Sequence, residues 1–342
     1  MLARAIRHLQ HALTAREREL GASHPDTLTS RNNLAYAYQS AGNLGRAIPL
    51  FKQTLTDAER VWGKDHPGTL TSRNNLASAY QSAGDLGRAI PLLEQTLTDR
   101  KRVLGAGHPD TLTSSNNLAL AYESVGDLGR AIPLFEQTLA DRVRVLGKDH
   151  PDTLASSNNL ASAYESAGDL GRAIPLFEQT LADRVRVLGK DHPGTLASSN
   201  NLAFAYESAG DLGRALPLFE QTLTDAERVL GKDHPGTLAS SNNLAYAYRS
   251  AGDLGRALPL FEQTLTDRKR VLGAGHPDTL TSSNNLAYAY QSAGDLGRAL
   301  PLFEQTLTDT ERVLAEEHPI TVMVRDNLTA AIAERDGSIR PS

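Results

Sequence analysis

Apolar residues return along this chain at helical spacing in two alternating stretches, and the alternation repeats every 42 residues. In the first copy, LTSRNNLAYAYQSA places Leu28, Leu34, Ala35, Tyr38 and Ala41 on one arc when wound at about 100° per residue. Beyond Gly42 a second stretch places Leu44, Ala47, Ile48, Phe51, Leu55 and Trp62 on another arc, which ends at Gly63. The residues between the arcs are those of helix ends. Pro25 suits a first helical position, where the N–H it lacks would be unbonded anyway. Asn43, or Asp85 one period later, offers an N-cap, and the glycines suit the stops. Helices joined by two or three residues lie antiparallel. Neither buries its stripe alone, so each pair has to pack on the next.

The period is marked by a His-Pro pair at His24, His66, His108, His150, His192, His234, His276 and His318. The phrase HPDTLASSNNLASAYESAGDLGRAIPLFEQTLADRVRVLGKD, from His150 to Asp191, recurs from His192 to Asp233 with 36 of 42 positions identical. This phase predicts a lone second helix over Leu2–Leu20, seven complete helix pairs from Pro25 to about Ala315, and a lone first helix over Pro319–Arg335. As domains, these are a half repeat over 1–21, helix pairs over 22–317, a capping helix over 318–336 and a disordered tail over 337–342. Arg325, Asp326, Thr329 and Glu334 replace smaller or uncharged residues on the last helix, as a soluble end cap requires. The Arg-rich start MLARAIRHLQHALTARERELG has the composition of a mitochondrial transit peptide. Yet Arg4, Ala5, Ile6, Leu13, Thr14, Glu17, Arg18 and Gly21 stay in register with RAIPLFKQTLTDAERVWG, which points to a half repeat.

Composition changes this picture little. Only 5% of the 342 residues are aromatic, so the core is built from many small contacts. The absence of cysteine removes disulfides, thiolate catalysis and Cys-based zinc sites, and fits a cytoplasmic location. A net charge of −5 gives no general pull toward nucleic acid or anionic membrane, and no apolar run approaches the ~18 residues of a membrane span.

The recurring NNLA-x-AY, G-D-L and A-I-P-L-F-E-Q-T-L, present from Asn32 to Leu307 with minor changes, resemble the tetratricopeptide repeat, in the 42-residue variety of kinesin light chains. The resemblance implies an all-α fold, a right-handed superhelical α-solenoid of antiparallel helix pairs. It makes Leu34, Ala35, Tyr38, Gly42, Ala47, Phe51 and Leu55 the packing signature, and the prolines at Pro49, Pro91 and Pro133 are typical of that variety. Two rows depart from it. Thr54, Thr96 and Thr138 stand where the family has Ala. Arg31, Arg73, Ser115, Ser157 and Ser199 fall within the buried arc, where Ser is expected to bond back to its own helix and Arg to bury its stem with its head in water.

The resemblance also implies that the first helices line a concave groove that holds an extended peptide. Thr29, Asn32, Tyr36 and Gln39 share the corresponding face. The asparagine repeats as a ladder, Asn32, Asn74, Asn116, Asn158, Asn200, Asn242 and Asn284, whose amides offer a peptide backbone both donor and acceptor. The alternative is that these amides bond helix to helix. Substituting Asn158 and Asn200 by Ala is the test this ladder invites. Four residues on the copies vary: Tyr36, Ser78, Leu120, Ser162, Phe204, Tyr246 and Tyr288. Variation at a single face position among near-identical copies is the mark of a read-out surface, with drift at a permissive surface site the alternative. Next come Gln39, Gln81, Glu123, Glu165, Glu207, Arg249 and Gln291, and the three acids favour a partner with basic residues.

Other chemistries fit poorly. Equivalent histidines of successive repeats stand roughly 10 Å apart at ordinary helix spacing, while zinc needs every ligand about 2 Å from one point; each His is expected to cap its helix. No Ser, His and Asp recur in a local constellation, and GDLGR lacks a phosphate-binding pattern. A helical RNA reader would need basic rungs. The expected function is therefore a non-catalytic, cofactor-free, monomeric scaffold for a protein or peptide partner, binding neither nucleic acid nor membrane. Two alternatives remain: a sensor arm of a larger bacterial signalling protein, such as a nucleotide-switch ATPase or transcriptional regulator, and a module joining head to tail through its open ends.

Overall fold

A computed structural model of the chain describes residues 2–337, and sixteen α-helices occupy them. The second-type helices are α1 (Leu2–Leu20), α3 (Leu44–Trp62), α5 (Leu86–Leu104), α7 (Leu128–Leu146), α9 (Leu170–Leu188), α11 (Leu212–Leu230), α13 (Leu254–Val271) and α15 (Leu296–Leu314). The first-type helices are α2 (Pro25–Ser40), α4 (Pro67–Ser82), α6 (Pro109–Ser124), α8 (Pro151–Ser166), α10 (Pro193–Ser208), α12 (Pro235–Ser250), α14 (Pro277–Ser292) and α16 (Pro319–Arg335). The expected tail lies outside the described residues apart from Gly337, which sits in a turn. Among the described residues no helix is long and apolar enough to cross a membrane.

Each helix end has a local cause. The His-Pro histidine is the N-cap: His24 Nδ1 accepts from the Asp26 N–H at 3.2 Å, and His66, His108, His192 and His234 repeat the bond. The second-type helices are capped by the carboxylate of the G-D-L turn, as where Asp127 Oδ1 accepts from the Arg130 N–H at 3.1 Å. They end on a residue with φ near +90°, a conformation that suits glycine, as at Gly63 and Gly105. Ala315 takes this place at the end of α15, with φ 84° and ψ 162°.

The chain forms two compact units, residues 1–163 and 164–342, divided within α8. In each, consecutive helices pack side by side, and the rows read from the sequence fill the space between them. Phe51 and Phe135 in the first unit, and Phe177, Phe219, Phe261 and Phe303 in the second, are fully buried beside the alanines of the same helices. Leu44, Ile48, Leu55 and Trp62 on the second arc are half-buried, and the Trp62 ring lies 5.0 Å from that of His66. First-type helices also touch the next first-type helix, as in α2–α4, α4–α6, α10–α12, α12–α14 and α14–α16. Within each unit, no second-type helix among the described residues touches its next counterpart. The first-type helices therefore form the closer-spaced, inner layer of each unit.

The two rows that depart from the resemblance are settled by hydrogen bonds. The Thr54, Thr96 and Thr138 hydroxyls donate to the carbonyls four residues back, at 2.8, 2.6 and 2.6 Å, and leave their methyls in the core. The Arg31 head does not reach water. It is buried, with Nη1 2.6 Å from Asp57 Oδ2 and Nη2 3.2 Å from Glu17 Oε1. Arg73 repeats the pairing with Asp99 at 2.7 Å. Burial alone would raise the Asp57 carboxyl, but bonds from Arg31, Gln53 and Arg60 outweigh it and hold the carboxyl below its ordinary range.

Candidate functional site

The inner layer exposes three kinds of position, and the structure separates them. The asparagine ladder is mostly consumed by the fold. Asn74, Asn116, Asn158, Asn242 and Asn284 are buried. The carbonyl oxygens of Asn74, Asn116, Asn242 and Asn284 accept from the second asparagine of the following repeat: Asn117 Nδ2 to Asn74 at 3.3 Å, Asn159 to Asn116 at 3.0 Å, Asn285 to Asn242 at 3.3 Å and Asn327 to Asn284 at 3.0 Å. Asn32 and Asn200 are half-buried; Asn200 Nδ2 donates to Ser240 Oγ at 2.9 Å. The helix-to-helix role weighed against the ladder is thus the one the geometry favours, because a buried amide already bonded to its neighbour has little left for a ligand.

The position four residues on is different. Tyr36, Tyr246 and Tyr288 are exposed by 42, 37 and 39%, whereas the leucine and second tyrosine rows of the same helices are covered. Leu120 and Phe204 are half-buried. Tyr36 and Phe204 each have a support from below. Tyr36 meets Phe51 edge-on at 5.3 Å and its hydroxyl donates to Asn75 Oδ1 at 2.6 Å, while Phe204 meets Phe219 edge-on at 5.0 Å. Aromatic groups held this way present a flat face at small entropic cost.

The third row, seven residues from the asparagines, ties several inner helices to a serine of the next. Gln39 Nε2 donates to Ser82 Oγ at 2.8 Å, and Ser208 Oγ donates to Glu165 Oε1 at 2.8 Å. The Ser250 hydroxyl bonds Glu207 in the same way. Burial raises the Glu165 and Glu207 carboxyls above the ordinary glutamate value; Ser208 and Ser250 respectively act against it, and Arg249 also lowers Glu207. Glu207 Oε2 is buried without a hydrogen-bond partner. In the second unit a cavity of about 450 Å³ opens here between α10, α12 and the turn into α11, lined by Phe204, Glu207, Ser208, Tyr246 and Ser250. Glu123 is half-buried on α6 of the first unit.

Sequence reasoning missed two constellations. On the side toward the G-D-L turns, Arg130, Arg214, Arg256 and Arg298 lie over the rings of Tyr122, Tyr206, Tyr248 and Tyr290 at 4.0–4.2 Å. The hydroxyls of those tyrosines donate to Glu94, Glu178, Glu220 and Glu262. The constant spacing of Tyr and Arg around G-D-L was the available signal. The second is a row of buried arginines. Arg100 donates to the Asp110 carbonyl at 2.7 Å, Ser114 Oγ at 2.9 Å and Thr71 Oγ1 at 2.9 Å, and its pKa is lowered by burial. Arg142 and Arg268 occupy equivalent places. The row Ala58, Arg100, Arg142, Arg184, Ala226, Arg268 and Thr310 gives no pattern that would mark the arginines as buried.

The paired helices, the 42-residue period and the capped turns meet their counterpart in known proteins. The tetratricopeptide repeat family model matches residues 1–60, 37–102, 69–142, 110–184, 173–227, 195–270 and 256–312. The chain belongs to the tetratricopeptide repeat family. Its fold is the all-α solenoid of that family, one typical of protein–protein interaction scaffolds and generally non-catalytic. Nearly identical TPR-like repeats of a Podospora anserina kinesin light chain are 35% identical, over 60% of this chain and 98% of that one, with a TM-score of 0.53. A tetratricopeptide repeat protein from Parabacteroides merdae, 14% identical, covers 89% of this chain and 98% of its own at a TM-score of 0.56. A Rap protein complexed with competence and sporulation factor, 11% identical, covers 92% and 100% at 0.50. These two share the fold. No curated protein matches the sequence. Among the described residues no group of His, Asp and Glu is arranged to hold a metal ion.

Proposed function

We propose that this tetratricopeptide repeat chain is a non-catalytic interaction scaffold whose inner, first-helix layer binds an extended segment of a partner protein. The observation that carries this reading is the exposed rings at one repeat position, Tyr36 in the first unit and Tyr246 and Tyr288 in the second, where Phe204 adjoins Tyr246. It is the same row that varies among otherwise near-identical repeats. A packing role leaves a large aromatic covered, and drift alone gives no reason for four rings in one row. The neighbouring Glu165 and Glu207 favour basic residues in the segment that lies across the second unit. The asparagines enter this proposal as the frame that fixes the spacing of the rungs, with half-buried Asn32 and Asn200 the two nearest to a ligand.

The ends of the array belong to the same proposal. Helix α1 acts as a half repeat and α16 as the terminal cap, where Arg325 pairs with Glu311 at 2.9 Å and Glu334 accepts from Gln291 at 2.8 Å. The scaffold is then a monomer. The test is selection of a displayed library of random 12-residue peptides on the full chain and on a variant with Phe204, Tyr246 and Tyr288 all changed to Ser. Serine already occupies this position as Ser78 and Ser162, so the fold accommodates it. The wild-type chain is expected to enrich a common motif that the variant does not. Enrichment of the same motif by both chains would overturn the reading.

A further inference from the structure

One position differs between two adjacent intervals of the second unit, and the difference is informative. Between Tyr246 and Tyr288 the interval is filled by the protein itself. The Arg249 guanidinium lies 4.4 Å from the centroid of each ring, a planar cation held between two aromatic faces. One repeat earlier the flanking rings are Phe204 and Tyr246, whose centroids are 6.4 Å apart. There the residue equivalent to Arg249 is Glu207. The cation is replaced by a carboxylate, and the interval opens into the cavity of about 450 Å³.

We propose that this cavity between α10 and α12 receives the guanidinium of an arginine side chain from the partner segment, stacked against Phe204 and Tyr246 and facing the Glu207 carboxylate. The proposal rests on the peptide-scaffold reading and deepens it. Three features support guanidinium over other groups. The protein's own Arg249 shows that two rings one repeat apart in this row accept one. A planar guanidinium stacks on an aromatic face, whereas an ammonium meets it as a point charge. The charge at the wall is negative and poorly solvated: the Ser250 hydroxyl holds one side of the carboxylate, and Oε2 is covered without a partner. A carboxylate so placed gains more from an incoming cation than one in water does, because the local dielectric is lower. Glu165, bonded to Ser208 at the rim, adds a second negative charge. Arg249 lies near Glu207, but its head is engaged by the next two rings.

The experiment uses the full chain and two small probes, N-acetyl-arginine methylamide and its citrulline counterpart, which keeps the shape and loses the charge. Binding is read by ligand-detected saturation-transfer NMR titration, with circular dichroism confirming the helical content of each variant. The arginine probe is expected to bind at least fivefold more tightly than the citrulline probe. Glu207→Gln is expected to weaken it about tenfold, and Tyr246→Ser about threefold. Equal affinity for the two probes, or no response to E207Q, would overturn the proposal. If the serine variant of the aromatic row loses its selected peptides while the arginine probe fails to bind wild type, the scaffold reading stands and the guanidinium pocket falls.

Discussion

At the scale of single residues, the polar groups inside this protein divide by the sign of their effect on stability. The Asp57 carboxyl, held low by Arg31, Gln53 and Arg60 against its own burial, stabilises the folded chain above the ordinary value of 3.8; the contribution is lost as pH falls below that value through the folded one. Asp57→Asn leaves Arg31 buried with a weaker partner, and is expected to cost about 3 kcal/mol at pH 7 in urea unfolding. Glu207 has the opposite sign. Burial raises its carboxyl above 4.5, so its ionisation destabilises the fold as pH rises past that value. Glu207→Gln is therefore expected to raise the unfolding temperature at pH 7 and to lose that advantage below pH 4.5, as read by thermal scans at several pH values. A residue that weakens the fold where it stands is a candidate for function. Ala315 tests backbone rather than charge: its φ of 84° and ψ of 162° lie in a region that glycine alone adopts freely. Ala315→Gly is expected to stabilise by about 1 kcal/mol, and an unchanged midpoint would contradict that account.

At the scale of the helix, the two amphipathic arcs decide almost everything that was legible beforehand. The His-Pro starts, the G-D-L turns and the Phe51 and Ala47 rows appear where the periodicity puts them, since a stripe at 3.6-residue spacing has one way to be buried in an antiparallel stack. The polar rows were less legible. An asparagine on the inner face reads the same in sequence whether its amide waits for a ligand or bonds the next helix. Only the spacing of neighbouring first-type helices decides, and it lets Asn117 reach Asn74. Arg31 and Arg100 were obscure for a related reason, because their acceptors lie on other helices: Asp57 for one, the Asp110 carbonyl and Ser114 for the other. Asn74→Ala removes the acceptor of both Asn117 and Ser114, and is expected to cost about 1–3 kcal/mol without altering helical content. For that reason the exposed ring row, and not the asparagines, is the place to test binding.

At the scale of the molecule, the two layers of one repeat carry different groups. The second-type helices supply the buried Phe and Thr rows, and the first-type helices supply both the ties between repeats and the exposed rings. Because each repeat rests on its neighbours, a local change in the ring row is expected to leave distant repeats folded. Monomer mass in light scattering, constant with concentration, is expected of a chain whose end helices act as caps; mass that grows with concentration would favour head-to-tail joining. The central claim is that the aromatic row of the inner layer reads a partner segment. Its most direct test is titration calorimetry of a selected peptide ligand against the wild-type chain and the variant with Phe204, Tyr246 and Tyr288 changed to Ser. The account predicts at least a tenfold loss of affinity with helical content retained, and equal affinity for the two chains would contradict it.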